Sequence, residues 1–215
     1  MTETDVLVVV DMQNDFCAGG ALPTADGHEV VSVINTVGRK FQNVVLTQDW
    51  HPEGHVSFAS AHPGKKPLDT VEMPYGEQIL WPDHVVQNTW GAEFHPDLDL
   101  PHAQLVIRKG YLKDVDSYSA FCMVDGTTRT GLAGYFEERS IKRVFVAGCA
   151  IDYCVGGLAT DAVKSGFDTY IIDDATASID PAPDASADRA WQEVNAAGVS
   201  RINSSDLDRI QTIEP

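Results

Sequence analysis

The segment Asp5-Val6-Leu7-Val8-Val9-Val10 is apolar at every position after the first, with no polar face at a period of two. A strand of this kind has no wet side. It belongs in a sheet covered on both faces, as central parallel strands are. The rest of the chain supplies the cover. Gly27 to Arg39 places Val30, Val33, Ile34 and Val37 at helical spacing on one face. Asn43 to Thr47, Leu105 to Arg108, Arg143 to Ala147, Thr169 to Ile172 and Val199 to Ile202 read as further strands. Gly131 to Ser140, Tyr153 to Ser165 (closed by Gly166) and Ala185 to Ala197 read as helices. Strand–helix alternation predicts an α/β fold, a three-layer α/β/α arrangement around a mostly parallel central sheet. With 215 residues, 43% of them hydrophobic, the chain can bury one core, so a single domain over 1–215 is expected.

One stretch breaks the rhythm. From Trp50 to Gln104 there is little periodicity, and it holds seven of the eleven prolines and six of the seven histidines. Long irregular segments inside compact domains are functional or disordered. Richness in Trp, His and Pro favours an ordered loop region, at about 50–104, that builds a site.

Charge narrows the partners. Fifteen basic against 32 acidic side chains give a formal charge of −17. Such a field repels nucleic-acid phosphates and anionic lipid, so a small-molecule substrate is expected, with no nucleic acid and no membrane partner. The apolar runs are far too short for a membrane span. The N-terminus has no basic segment ahead of its apolar stretch, which argues against a signal peptide. Cys17, Cys122, Cys149 and Cys154 lack the spacing of a disulfide framework or a C-x-x-C motif, so free thiols in the cytoplasm are expected.

Two constellations carry chemistry. Asp49-Trp50-His51-Pro52-Glu53-Gly54-His55 follows a strand, and Asp49 and His51 point the same way if the strand continues. One carboxylate and two imidazoles suit Zn²⁺, Fe²⁺ or Mn²⁺, and His84 in Trp81-Pro82-Asp83-His84 could complete the set. Loop histidines satisfied by water or backbone remain the alternative. The second constellation sits at strand ends, where open α/β sheets place ligands. Asp11 ends the first strand, Lys109 follows Leu105 to Arg108, and Cys154 lies past the Arg143 to Ala147 strand near a helix start. The positive helix end would favour a thiolate, Asp11 could take its proton, and Lys109 could balance the charge. The bland alternatives are a buried apolar Cys, a turn-capping Asp and a solvated Lys. For Cys17, Cys122 and Cys149 the buried reading is preferred.

In five ordered blocks the sequence resembles the nicotinamidase/pyrazinamidase branch of the isochorismatase-like cysteine hydrolases. They are Val9 to Cys17, Thr47 to Ala59, Trp81 to Pro96, Arg108 to Phe121 and Val146 to Val155. The resemblance implies an amidohydrolase that converts nicotinamide to nicotinic acid and ammonia through a cysteine thioester, with pyrazinamide as a looser substrate. It implies Asp11, Lys109 and Cys154 as the catalytic set, and N–H groups of Ala150 and Cys154 as the oxyanion hole, shaped by a cis Cys149–Ala150 peptide. One divalent metal (Zn, Fe or Mn) would be held by Asp49, His51 and His84, with His55 either a fourth ligand or a neighbour of metal-bound water. Phe16, Trp81 and Tyr118 would line the ring pocket, a suitable wall for a flat heteroaromatic.

Departures from the family pattern are few. Val85 stands where Cys is common and Asn88 where Gly is common, and the proline-bearing stretch from His62 to Gln78 lengthens the loop, which leaves substrate gating open. The rival readings are a metal-independent amidase acting on a carbamoyl or maleamate-type substrate, a metallohydrolase in which the cysteine is incidental, and a non-catalytic binding module. Native metal, amide breadth, physiological pathway and the choice between monomer and homo-oligomer are not set by the sequence.

Overall fold

The computed structural model describes residues 1–179 and 186–210. In chain order the elements are β1 (Asp5–Val10), β2 (Thr24–Ala25), α1 (Glu29–Gly38), β3 (Asn43–Asp49), β4 (Thr70–Met73), β5 (Gly76–Ile79), β6 (Leu105–Lys109) and α2 (Leu132–Glu138). They continue with β7 (Arg143–Gly148), α3 (Gly156–Lys164), β8 (Asp168–Thr176), β9 (Ser178–Ile179), α4 (Ser186–Ala196), β10 (Ser200–Ile202) and α5 (Leu207–Ile210). The central sheet runs β10-β8-β7-β1-β3-β6, and each neighbouring pair is parallel.

The alternation along β1 explains the layers. Leu7 and Val9 pack with Val44, Leu46 and Phe145 under Val30, Ile34 and Val37 of α1. Val6, Val8 and Val10 face the other way, against Phe136 of α2, Leu158 and Ala159 of α3 and Val194 of α4. Every residue of β1 is buried, and a fully buried valine contributes about 1.5–3 kcal/mol by transfer from water. The expected three-layer α/β/α fold is the one found. No helix among the described residues is long and apolar enough to cross a membrane.

Topology fixes where a ligand can sit. From β1 the chain moves outward to β3 and β6, then returns to the other side of β1 for β7, β8 and β10. Connections at β1 and β7 therefore leave in opposite directions, opening a crevice at the C-terminal edge. Asp11 and the residues after Gly148 lie there.

Several boundaries moved. β3 runs on through Asp49, which pairs in register with Lys109 at the end of β6. The expected helix from Tyr153 begins instead as a π turn, Ile151–Val155, before α3. Two small antiparallel pairs, β2 with β9 and β4 with β5, escaped the sequence pattern because their strands are two to four residues long and largely polar. Ala185, the expected start of α4, falls outside the described residues.

Candidate active site

Lys109 is the hub. Its ammonium lies 2.9 Å from Asp11 Oδ2 and 3.1 Å from Asp49 Oδ1, and it donates to Cys154 Sγ at 3.3 Å and to the Ser117 carbonyl at 3.0 Å. All three strand-end residues, Asp11, Lys109 and Cys154, are buried and meet as the sequence predicts. Lysine has three N–H donors, and four acceptors surround this one. Asp11 Oδ2 and Asp49 Oδ1 accordingly sit at ion-pair distance without a hydrogen bond in line. Asp11 Oδ1 is held separately by the Thr47 hydroxyl, at 2.5 Å.

The electrostatics follow from burial. Desolvation raises the Asp11 carboxyl above its ordinary range, and the Lys109 charge only partly offsets it. Desolvation also pushes the Cys154 thiol well up, against the pull of Lys109. This corrects the expectation of a helix-stabilised thiolate: Cys154 sits in the π turn, dry and beside two carboxylates, so its resting form is the thiol. Lys109 stays charged, because Asp11 and Asp49 outweigh its burial. The peptide bond Cys149–Ala150 is cis, as expected.

Beside this triad, Asp49, His51 and His84 bring one ligand atom each within 4.8 Å of one another. Their orientation is built by backbone. The Nδ1–H of His51 donates to the Gly110 carbonyl at 2.9 Å, and that of His84 to the Pro82 carbonyl at 2.8 Å. A carbonyl only accepts, so each ring carries a proton on Nδ1, which leaves Nε2 as the atom that takes up a second proton or a metal. His51 Nε2 then faces Asp49 Oδ2 across 3.3 Å. Lone pair against carboxylate is repulsive unless a cation or proton lies between them. A Cβ at Gly110 (φ +62) would come within 2.5 Å of the His51 ring and 2.6 Å of Asp49 Oδ1, so this turn has no room for a side chain. Burial lowers His84 to about 4, leaving it neutral, the form that ligates. At His51 burial acts downward too, but the Asp49 carboxylate reverses it and raises its affinity for positive charge.

His55 is placed differently. Ser57 Oγ donates to its Nδ1 at 2.7 Å, and its Nε2–H donates to the Val115 carbonyl at 3.3 Å. Both nitrogens are engaged, and the ring stacks on His51 at 4.0 Å between centroids. It groups with His51 and Asp116 rather than with Asp49 and His84. Val85, next to His84, adopts φ +41, a left-handed conformation unusual for a β-branched residue. Its N–H donates to Asp15 Oδ2 and its carbonyl accepts from His51 N, which hold it there. Asn88 takes φ +63, a conformation asparagine tolerates, which accounts for it where glycine is common.

Phe16, Trp81, Tyr118, Tyr153, Leu22 and Ile179 wall a small cavity that also exposes Asp49, His51, His84 and Cys154. Trp81 Nε1 donates to the Tyr118 hydroxyl at 3.4 Å, and Tyr153 meets Trp81 edge-on at 4.7 Å. All three expected ring-pocket residues are there. A larger open groove lies beyond Tyr118 and Tyr153, lined by Gly156, Thr160 and Lys164 among others, and holds neither the triad nor the imidazoles. The Cys154 sulfur and the imidazoles of His51 and His84 open on the smaller space. Sequence reading missed Thr47, Gln13 and Asp116. Gln13 pairs with the backbone of Asp49 at 2.8 Å in both directions and fixes its position. Thr47 precedes Asp49 by two on one strand face, a signal available in principle.

Residues 5–204 match the family model of the isochorismatase domain. The chain is 52% identical over 201 residues to a nicotinamidase of Acinetobacter baylyi, covering 94% of this chain and 93% of that one. A solved Acinetobacter baumanii nicotinamidase pyrazinamidase superposes with a TM-score of 0.94 at 53% identity, covering 96% of this chain and 99% of the other. A pyrazinamidase of Pyrococcus horikoshii solved in complex with zinc superposes at 0.75 with 37% identity, covering 93% and 99%.

Proposed function

The chain belongs to the isochorismatase domain family, and on that premise we propose that it is a nicotinamidase, hydrolysing nicotinamide to nicotinic acid and ammonia and accepting pyrazinamide. The observation that carries the mechanism is the single ammonium of Lys109 in contact with Asp11, Asp49 and the Cys154 sulfur at once. We read residues 1–215 as one hydrolase domain working in the cytoplasm, its four cysteines free.

Asp11 removes the Cys154 thiol proton. Burial has raised its basicity, as a base for a thiol requires. Lys109 stabilises the thiolate that forms, and the sulfur attacks the carboxamide carbon to make a tetrahedral oxyanion. Backbone N–H groups of Ala150 and Cys154 hold that oxygen. The C–N bond breaks as Asp11 returns the proton to the leaving nitrogen, releasing ammonia and leaving a thioester. Asp11 then deprotonates a water, which cleaves the thioester to the carboxylate and restores the thiol. In this tightly coupled set the protons belong to the group rather than to one residue.

The donor set fits a divalent metal. Its two Nδ1-anchored imidazoles and one carboxylate match Zn²⁺, Fe²⁺ or Mn²⁺, and a cation relieves the facing of His51 Nε2 and Asp49 Oδ2. Asp49, His51 and His84 would hold it, with His55 acting through water because its own nitrogens are engaged. When bound, the metal would supply a Lewis-acid anchor for the ring nitrogen of the substrate. Phe16, Trp81 and Tyr118 would clasp the ring faces and orient the amide toward sulfur.

The test is ammonia release from nicotinamide, pyrazinamide, maleamate and an aliphatic amide, with metal content measured on the same protein. Preference for nicotinamide with one divalent ion per chain is expected. Better turnover of the maleamate or aliphatic amide by metal-free protein would favour the metal-independent amidase.

A further inference from the structure

The β4–β5 hairpin lies within the proline-bearing stretch that lengthens the loop, and one of its side chains does not behave as a loop residue should. Gln78 is 2% exposed although Gly76 and Glu77 beside it are exposed. Its amide is fully committed. Nε2 donates to Asp116 Oδ2 at 2.8 Å and to the Ile79 carbonyl at 2.7 Å, while Oε1 accepts from the Tyr75 hydroxyl at 3.1 Å. Asp116 is buried as well, and its Oδ1 accepts from Ser117 N at 2.8 Å. That same Oδ1 lies 4.0 Å from His51 Nε2. The carboxylate lines the cavity with Asp49, His84 and Cys154.

We propose that Asp116 is a positioning carboxylate of the metal centre, aimed at it by Gln78 of the hairpin. The inference rests on the metal reading of Asp49, His51 and His84 given above. Charge is the first reason. Asp49 and Asp116 are buried carboxylates lining the cavity, Asp11 is a third buried behind it, and Lys109 contacts only Asp11 and Asp49. Among the described residues, neither lysine nor arginine forms an ion pair with Asp116; its close donors are an amide and a backbone N–H. The basic group that faces it is the His51 imidazole of the metal site, Nε2 at 4.0 Å from Oδ1. A divalent ion on His51 Nε2 supplies the two positive charges the cavity lacks. Direction is the second reason. Each oxygen takes one donor of the fold, Gln78 Nε2 on Oδ2 and Ser117 N on Oδ1, and this pair of anchors turns Oδ1 toward His51 Nε2 at 4.0 Å, where its remaining lone pair can accept from a water on that ion. The lengthened loop thereby contributes to metal retention rather than serving only as a gate.

The test is Zn²⁺ affinity by chelator competition on the full-length wild type, Asp116→Asn, Asp116→Glu and Gln78→Ala, with melting of each protein metal-free and Zn²⁺-loaded. Expected is a roughly 10–100-fold loss of Zn²⁺ affinity for Asp116→Asn, a smaller loss for Gln78→Ala, and partial recovery for Asp116→Glu. Metal-free Asp116→Asn should melt close to wild type, while a structural role predicts a lower temperature. Unchanged Zn²⁺ affinity in a folded Asp116→Asn, alongside normal wild-type uptake, overturns this inference alone. Should Asp116→Asn fail to fold, unchanged affinity in Gln78→Ala does the same. A wild type that takes up no Zn²⁺ overturns both this inference and the metal reading beneath it.

Discussion

β1 carries a buried carboxylate near each end, and each faces a buried cation, yet the two pairs are built to opposite specifications. At the N-terminal end Asp5 meets Arg143, its register partner on β7. Arg143 Nε and Nη2 donate to the two carboxylate oxygens at 2.6 and 2.9 Å, and Nη1 reaches the Ile210 carbonyl at 3.2 Å. The forked geometry places a guanidinium donor on each carboxylate oxygen. Past the C-terminal end Asp11 meets Lys109, whose three donors are divided among four acceptors. The first pair is a staple that ties β1 to β7 and the C-terminal helix. The second is undersubscribed in donors and touches Cys154 and Asp49, which line the cavity. Burial of charge alone does not mark a site; burial with incomplete satisfaction does.

The contrast can be broken by substitution. Asp11→Asn should lower kcat by about 10²–10⁴-fold, the range for loss of a general base, without loss of stability at pH 7. Its stability has a definite sign. The folded-state pKa of Asp11 is raised, so its ionisation opposes folding above that value and has no effect below the unfolded carboxylate range. The variant should therefore melt higher than wild type at neutral pH, and the gain should vanish as pH falls toward 4, by calorimetry across pH. Arg143→Met should do the reverse, costing about 3–5 kcal/mol of stability in denaturant titrations because Asp5 is left buried and unpaired, with kcat of the folded enzyme unchanged. If Arg143→Met lowers kcat as strongly as Asp11→Asn, the division of roles between the two ends fails. The pH profile of kcat/KM sharpens the picture further. Activity should fall toward acid as Asp11 takes up its proton, with a midpoint above the ordinary carboxylate value. The smallest effect is expected for Thr47→Val. Its hydroxyl stabilises the Asp11 carboxylate, so removing it should move that acid limb to higher pH by about one unit.

Legibility in the sequence followed the same line. Val-rich strands announce themselves because burial on both faces leaves no polar position, so β1, β3 and β7 were readable nearly to the residue. Asp11, Lys109 and Cys154 were readable because strand ends in an open α/β sheet converge on one edge. The Asp49 and His51 pair was readable once β3 extended to Asp49. Asp116 and Gln78 were not. Their contact joins residues 38 apart through a hairpin of four-residue polar strands, and neither periodicity nor spacing encodes it. The resting state of Cys154 was misjudged for a related reason. Proximity to a helix start is visible in sequence, whereas the dryness of the thiol and the two neighbouring carboxylates emerge only from packing.

The central claim is that sulfur of Cys154, deprotonated beside Lys109, forms a covalent bond to the substrate carbonyl. Acid-quenched wild type mixed with nicotinamide should carry, by intact-protein and peptide mass spectrometry, a nicotinoyl group on Cys154 and on none of the other three cysteines. Cys154→Ala should form no adduct and release no ammonia. Ammonia release by a folded Cys154→Ala protein at a rate near that of wild type would contradict the account.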